Sequence, residues 1–466
     1  MVTRRKFLSG AAKGMAGAAA ASCFPNMVFG QEGKKPNVLF ISIDDLNDWI
    51  GCLGGHPNAI TPNLDRLAAR GVLFSHSYCN SPYCNPSRAS LLTGLRPSTT
   101  GVYTLRHPFR KAVPDAVTLM QHFMANGYHV LGRGKITHSS YPDPPSWHEY
   151  VERGSDPKHP DAPQNGIQDK DIRSAFDWGP LDVGDEEMDD YKVATWTARA
   201  LHRKHDKPFF LACGLYKPHL PFQVPRKYFA DFPEDEIYVP PIHERDLDDI
   251  PKAGRDYRSP VYHESVMKTN NRRKAVSGYL ASVKFVDAMV GRVLDALDSS
   301  DYADNTVIVL WGDHGWHLGE KLHWRKGALW EEANRTPIMI SAPGIKPARC
   351  DRPVSLIDLY LTLIDLCGLS AKTGLEGVSI KPLLDQPNRS WDRPVVTTYL
   401  RGNHSIRSER WRYTRYHDGT EELYDHQHDK MEWTNLAGQA QFRDVIAAHA
   451  AWLPKTDAPD APDRDA

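Results

Sequence analysis

Cys84-Asn85-Pro86-Ser87-Arg88-Ala89-Ser90-Leu91-Leu92-Thr93-Gly94 is the stretch from which the rest of the chain can be read. It sets polar residues and a fixed cation ahead of a short apolar helix that a glycine ends. Pro86 suits the first helical turn, where its missing N–H is no loss. Ser87 and Arg88 then put a hydroxyl, unbonded backbone N–H groups and a positive charge at the helix start. A helix N-terminus already favours anions, and the Arg88 guanidinium adds a planar fork matched to phosphate or sulfate oxygens. Cys84 stands just ahead as a residue of nucleophile size. Its simpler reading is an inert buried thiol.

Two apolar runs flank this motif from far along the chain. Val38 to Ile43 is broken only by Ser42, and Thr306 to Trp311 is similar; both read as buried strands. The first ends in Asp44-Asp45 and the second in Gly312-Asp313-His314-Gly315. Two carboxylates at a strand end can reach one hard cation, and open α/β sheets carry their sites at such ends. Asp44, Asp45, Asp313 and His314 meet only if the two strands lie close with the same polarity. Each pair alone also reads as a solvated turn.

Further strand ends repeat the pattern. A helix over 117–125 and a strand over 128–131 precede Lys135 and His138, which can hold an anionic ester and donate a proton. A helix over 190–205 and a strand over 208–215 lead to Lys217-Pro218-His219-Leu220-Pro221-Phe222. His219 reads as a sulfate contact or proton donor, or as a packing histidine fixed by prolines. Residues 141–190 are rich in Pro, Gly, Asp and Trp and read as a long loop lining the substrate entrance. The helix over 271–297 has apolar residues in steps of three and four, a packing stripe. Lys321 and Lys326 both sit in a basic turn that also reads as solvated, and 355–366 reads as an amphipathic helix. Alternating buried strands and helices predict an α/β fold with a mostly parallel sheet.

The 466 residues exceed one ordinary core, so a large domain with a smaller companion is expected. After about residue 375 the composition shifts, and 395–399, 405–407, 411–416 and 421–425 read as short strands, 405–407 beginning just after His404 and ending in Arg407. Residues 457–466 are Asp/Pro/Ala-rich and expected to be disordered. A formal net charge of −1 gives no sign of a nucleic-acid partner, although a local basic pocket fits inside a neutral total. The seven cysteines show no zinc spacing and no disulfide framework; Cys79 and Cys84 are the one close pair. Residues 1–30 read as an export signal of the twin-arginine type, with Arg4-Arg5 before an Ala/Gly run too short for a membrane span. Lipidation at Cys23 is the rival ending. The expected location is periplasmic or extracellular.

The motif C-x-P-S-R-x-x-x-L-T-G at Cys84–Gly94 resembles the signature of the type I sulfatases. The three-residue gap from Lys135 to His138 and the K-P-H-x-P-F run resemble the iduronate-2-sulfatase-like branch. The run Glu422-Leu423-Tyr424-Asp425 resembles a strand of sulfatase C-terminal subdomains. The family's longer signature has arginine after Thr-Gly; here Leu95 stands there and Arg96 follows. The resemblance implies an alkaline-phosphatase-like sheet in a catalytic domain over 31–375. A C-terminal α+β subdomain with an antiparallel sheet would follow over 376–456.

It also implies that Cys84 is oxidised to formylglycine by a formylglycine-generating enzyme, leaving no Cys79–Cys84 disulfide. The implied metal is one Ca2+ on Asp44, Asp45, Asp313 and His314 together with residue 84 itself, formed from Cys84, with the imidazole making the ion's identity less definite. Arg88, Lys135 and Lys326 would hold sulfate, His138 or His219 would protonate the departing alcohol, and His404 and Arg407 would reach the substrate. The expected substrate is a sulfated sugar. The rivals are a choline or aryl sulfate, a phosphonate or phosphodiester hydrolase using the same motif, and a sulfated-glycan-binding protein that keeps its thiol. The sequence specifies no oligomeric state.

Overall fold

The central sheet has eight strands. They are β1 (Asn37–Ile43), β2 (Val72–Phe74), β3 (His129–Gly134), β4 (Glu149–Val151), β5 (Phe209–Leu215), β6 (Thr306–Gly312), β7 (Ile338–Ser341) and β8 (Ala348–Cys350). The computed structural model describes residues 35–257 and 259–465; the segment read as an export signal and Cys23 lie outside the described residues. The spatial order is β8-β2-β7-β6-β1-β5-β3-β4. Only β7 runs against the others, pairing antiparallel with β6 and β2.

The continuous apolar runs of β1, β5 and β6 follow from burial on both faces. Leu39, Ile41, Ile43, Leu211 and Leu310 face one core, together with α3 (Asp189–Leu201) and the long α4 (Arg272–Asp298). Val38, Phe40, Phe210, Val309 and Trp311 face the other. That side is covered by α1 (Cys84–Thr93), α2 (Leu119–Ala125) and α5 (Asp358–Leu366). The strand period of two therefore divides each run between two helical layers.

Strands β9 (Val395–Thr398), β10 (His404–Arg407), β11 (Trp411–Arg415) and β12 (Glu421–Asp425) form the expected antiparallel sheet. It docks behind the motif, where the Thr398 N–H donates to the Asn80 carbonyl (2.9 Å) and the Thr397 hydroxyl to that of Cys79 (2.6 Å). Buried ion pairs from Arg412 to Glu331 and Glu432 fasten it further.

Two expectations change here. Residues 141–190 are not one irregular loop: β4 extends the main sheet, and Trp178–Leu181 pairs in parallel with Phe222–Pro225. These strands are too short and too rich in Gly and Pro to show a period. The tail expected to be disordered is a strap instead. The N–H groups of Ala458, Ala461 and Arg464 donate to the carbonyls of Ser98, Gly101 and Arg106. Gly101, at φ +74°, lets the Pro459 carbonyl approach where a Cβ would sit 2.1 Å from it. Composition reported the tail's weak apolar content, not the backbone acceptors waiting for it.

Candidate active site

Strands β1 and β6 are adjacent and parallel, with Ile43 opposite Gly312. Their C-terminal ends bring Asp44, Asp45, Asp313 and His314 together, all fully buried. The Asp45 backbone is in the left-handed region at φ +59°, a conformation costly for a non-glycine residue unless its surroundings fix it. Its N–H donates to Asp313 Oδ1 (3.0 Å), and its carbonyl accepts from the Tyr279 hydroxyl (2.9 Å). The helix carrying Tyr279 had read only as a packing stripe, so this anchor was missed.

Helix α1 begins at Cys84 and points its N-terminus into the same place. Cys84 Sγ lies 3.3 Å from His314 Nε2, 2.9 Å from Lys326 Nζ and 3.9 Å from Asp45 Oδ1. Cys79 and Cys84 are both free thiols. Lys326 also bonds Asp45 Oδ1 (2.6 Å). It arrives there because His317 pairs with Arg325 across a small hairpin, which folds the chain back beside His314. Lys321 is spent elsewhere, on Asp246 (2.7 Å) and the Glu432 carbonyl.

Arg88 corrects an expectation. Its guanidinium is buried, with Nε on Asp313 (2.9 Å), Nη2 on Asp44 (3.2 Å) and Nη1 on the carbonyls of Lys135 (2.6 Å) and Ile136 (3.1 Å). Its face lies over Trp311. With its nitrogens engaged in this way, the fork holds two carboxylates in place and does not present itself to sulfate.

Lys135 Nζ bonds the other oxygen of Asp44. It can enter because Gly134, at φ +93°, and Gly214 let the strand ends touch. A Cβ on Gly134 would lie 2.0 Å from the Gly214 carbonyl. His219 joins the cluster from the end of β5, with Nε2 3.9 Å from Asp45 Oδ2 and its ring against Tyr216. Two backbone N–H bonds to the buried Asp190, from Tyr216 and Lys217 (both 2.8 Å), hold that turn. His138 is half-buried near Lys135, and its Nδ1 accepts from the Ser140 N–H (3.4 Å).

His404 and Arg407 fall outside this cluster, another correction. His404 bonds Thr398 and Asp457, and Arg407 bonds Glu331 and the carbonyls of Ser408 and Glu409.

The donor set suits a cation. Asp45 Oδ2 is buried without a hydrogen-bond partner. His314 Nδ1–H donates to the Gly315 carbonyl (2.9 Å), so its Nε2 lone pair points at Asp45 Oδ1 only 3.3 Å away. Burial holds this imidazole neutral, with its pKa pushed down to about 4. Burial, with Asp44 and Asp313 nearby, pushes the Asp45 carboxyl up to about 7 despite Lys326. Two facing acceptors and a crowded carboxylate would be relieved by a metal ion among Asp44, Asp45, Asp313 and His314. The ligand atoms of Asp44, Cys84, Asp313 and His314 lie within 4.8 Å of one another.

Metal-type ligands, a nucleophile position and lysines at the C-terminal ends of a parallel sheet of the alkaline-phosphatase-like fold suit hydrolysis of an anionic ester. Comparison with known proteins narrows it. The chain belongs to the sulfatase family, whose model matches residues 36–369, and a model for the C-terminal part of N-sulphoglucosamine sulphohydrolase matches 312–457. It is 39% identical over 92% of its length to a "Sulfatase" of Formosa agariphila, covering 88% of that protein. It is 33% identical over 66% of its length to mouse iduronate 2-sulfatase, covering 59% of that protein. Two solved structures share the fold at TM-score 0.72 and 24% identity, each over 90% of this chain. One is a 2-O GAG sulfatase (91% of that chain covered) and the other a phosphonate monoester hydrolase from Agrobacterium radiobacter (95%). The protein is a sulfuric ester hydrolase.

Proposed function

We propose that this enzyme removes sulfate from a sulfated saccharide in the manner of the iduronate-2-sulfatase-like branch, with formylglycine at position 84 and one calcium ion. The observation that carries this is the convergence of Cys84, three carboxylates, His314 and Lys326 in one buried cluster. The K-P-H-x-P-F turn and the likeness to iduronate 2-sulfatase support the substrate class.

Calcium on Asp44, Asp45, Asp313 and His314 would supply Lewis-acid charge, and carboxylate oxygens are its usual ligands. Hydrated formylglycine would supply the nucleophilic hydroxyl. Three buried carboxylates face three buried cations, Arg88, Lys135 and Lys326, so a divalent ion leaves the site positive and ready for an anionic ester. Lys326 places charge beside residue 84 and Lys135 does so beyond Asp44, which positions both to hold sulfate oxygens. His219 Nδ1–H donates to the Leu220 carbonyl (2.7 Å), leaving Nε2 as the nitrogen that gains and loses a proton.

Burial and the neighbouring lysines push the His138 pKa down to about 3 and hold His219 well below its ordinary value. An acid must be protonated to act, so kcat/KM for esters of poor leaving groups is expected to rise as pH falls from about 7 to about 5. His219→Gln should lower turnover of such esters about 10²–10³-fold, yet barely affect a nitrophenyl sulfate, whose leaving group needs no proton. Equal losses on both would remove His219 as the donor and leave His138.

Calcium added to metal-free protein is expected to raise Tm, with about 2.7 kcal/mol of stabilisation at about a hundred times Kd. A shift with another divalent cation and none with calcium would reassign the ion.

The deciding experiment compares sulfate, phosphonate and phosphodiester substrates on protein made with the formylglycine-generating enzyme. A dominant phosphodiesterase rate would overturn the proposal, and a choline sulfate rate above every saccharide rate would move the substrate class. We also propose twin-arginine export to the periplasm or the extracellular space, which N-terminal sequencing of fractionated mature protein checks.

A further inference from the structure

The β9–β10 turn links the site to a second cavity. At its start Tyr399 stands by the site: a Cβ on Gly327, next to Lys326, would lie 3.0 Å from the Tyr399 hydroxyl and 3.4 Å from that of Tyr83, next to Cys84. From there a row of tyrosines continues. Tyr83 packs against Tyr399 (5.4 Å between ring centres), Tyr399 against Tyr257 (5.0 Å) and Tyr257 against Tyr416 (6.1 Å).

Tyr416 lines a cavity of about 860 Å³, and so do Arg401 from the β9–β10 turn, His404 at the start of β10, Arg415, His417 and Lys455. Arg401, Arg415 and Lys455 form no ion pair among the described residues. The two carboxylates in the wall are already engaged. Asp457 faces His404 (3.1 Å), and Asp418 accepts from the Thr420 N–H (3.0 Å) and hydroxyl (2.6 Å). Arg401, Arg415 and Lys455 thus outnumber Asp418 and Asp457, so the wall is net positive, with the tyrosine row between it and the nucleophile.

We propose that this cavity is a second anion subsite, which takes a sulfate or carboxylate borne by another sugar residue of the same substrate. Tyr83 and Tyr257 are half-buried and offer an apolar face with a polar tip to a saccharide lying between the two sites, with Tyr399 and Tyr416 buried behind them. The preferred substrate is then an acidic oligosaccharide or polymer, longer than the single sugar whose ester is cleaved. This rests on the saccharide reading above.

The test uses the full chain matured at position 84, with size-graded 2-O-sulfated heparin oligosaccharides and, separately, an aryl sulfate. For the wild type, KM is expected to fall as the oligosaccharide lengthens. Arg415→Ala combined with Lys455→Ala should erase that gain, raising KM for the longer oligosaccharides about threefold to tenfold, as loss of two exposed charge contacts would. Aryl sulfate kinetics should stay unchanged, and the wild-type length gain should shrink with added salt. Lys455→Glu, a single exposed change, should act in the same direction and guards against a folding defect in the double variant. A length gain that survives both variants, or no length gain in the wild type, overturns the second subsite while saccharide turnover keeps the functional reading. Aryl sulfate turnover without turnover of any oligosaccharide overturns both.

Discussion

Cys84→Ala is expected to lower sulfate-ester turnover by about 10⁴–10⁶-fold, the range seen when a covalent catalyst loses its nucleophile. The side chain is buried among Lys326, His314 and Asp45, so no other residue can take its place without moving that cluster. The unmodified thiol should do little better. Burial and the Asp44 charge push its pKa up to about 12 even with Lys135 and Lys326 close by. At neutral pH it stays protonated, and a protonated thiol is a poor nucleophile. Protein made without the maturing enzyme should therefore match Cys84→Ala, and activity should track the fraction of converted residue 84 in the mass of its peptide. Wild-type turnover from a fully intact thiol would sink the formylglycine assignment. Turnover by Cys84→Ala above about one per cent would sink residue 84 as the nucleophile position.

The strands that end in Asp44-Asp45 and Asp313-His314 were legible because central parallel strands are apolar almost without interruption. The runs 38–43 and 306–311 have no other reading as compact as that. Their adjacency was not legible, since register between strands far apart in sequence is set by the helical crossovers. Helix α2 was legible at its end, but its start moves to Thr118, whose hydroxyl and the Gln121 side chain form a reciprocal cap.

The His404 and Arg407 assignment carried a warning in its spacing. Residues three apart on one strand point to opposite faces, and the register puts His404 opposite Arg415 and Arg407 opposite Arg412. They could not both have faced one substrate. The Lys326 and Lys321 alternatives were decided by a two-residue hairpin, too short for any periodicity to reveal. Ser42, the one polar residue in its run, donates to the Lys135 carbonyl (2.9 Å), so the break in the pattern marked a site contact. The burial of Arg88 had no sequence signal, because an arginine is excluded from a core unless its partners are present, and those partners come from three other segments.

That burial leads to the second large effect. Arg88→Ala is expected to cost about 3–5 kcal/mol of stability, the usual cost of leaving buried charges without their partner. It would leave Asp44, Asp45 and Asp313 with only Lys135 and Lys326, orphan the Ile136 carbonyl and leave the Lys135 carbonyl to Ser42 alone. Calcium should stabilise the variant less than the wild type, because Asp44 and Asp313 lose the group that aims them, and turnover should fall to about one per cent or lower. Arg88→Lys restores a charge but cannot reach both carboxylates and both carbonyls at once, so it should recover only part of the stability. Denaturant unfolding reads this as a lower midpoint at unchanged m. The contrary result is just as definite. Were Arg88→Ala as stable as the wild type, with unaltered calcium binding and only a higher KM, the guanidinium would be a sulfate contact after all. The buried pairing with Asp44 and Asp313 would then not describe the working enzyme.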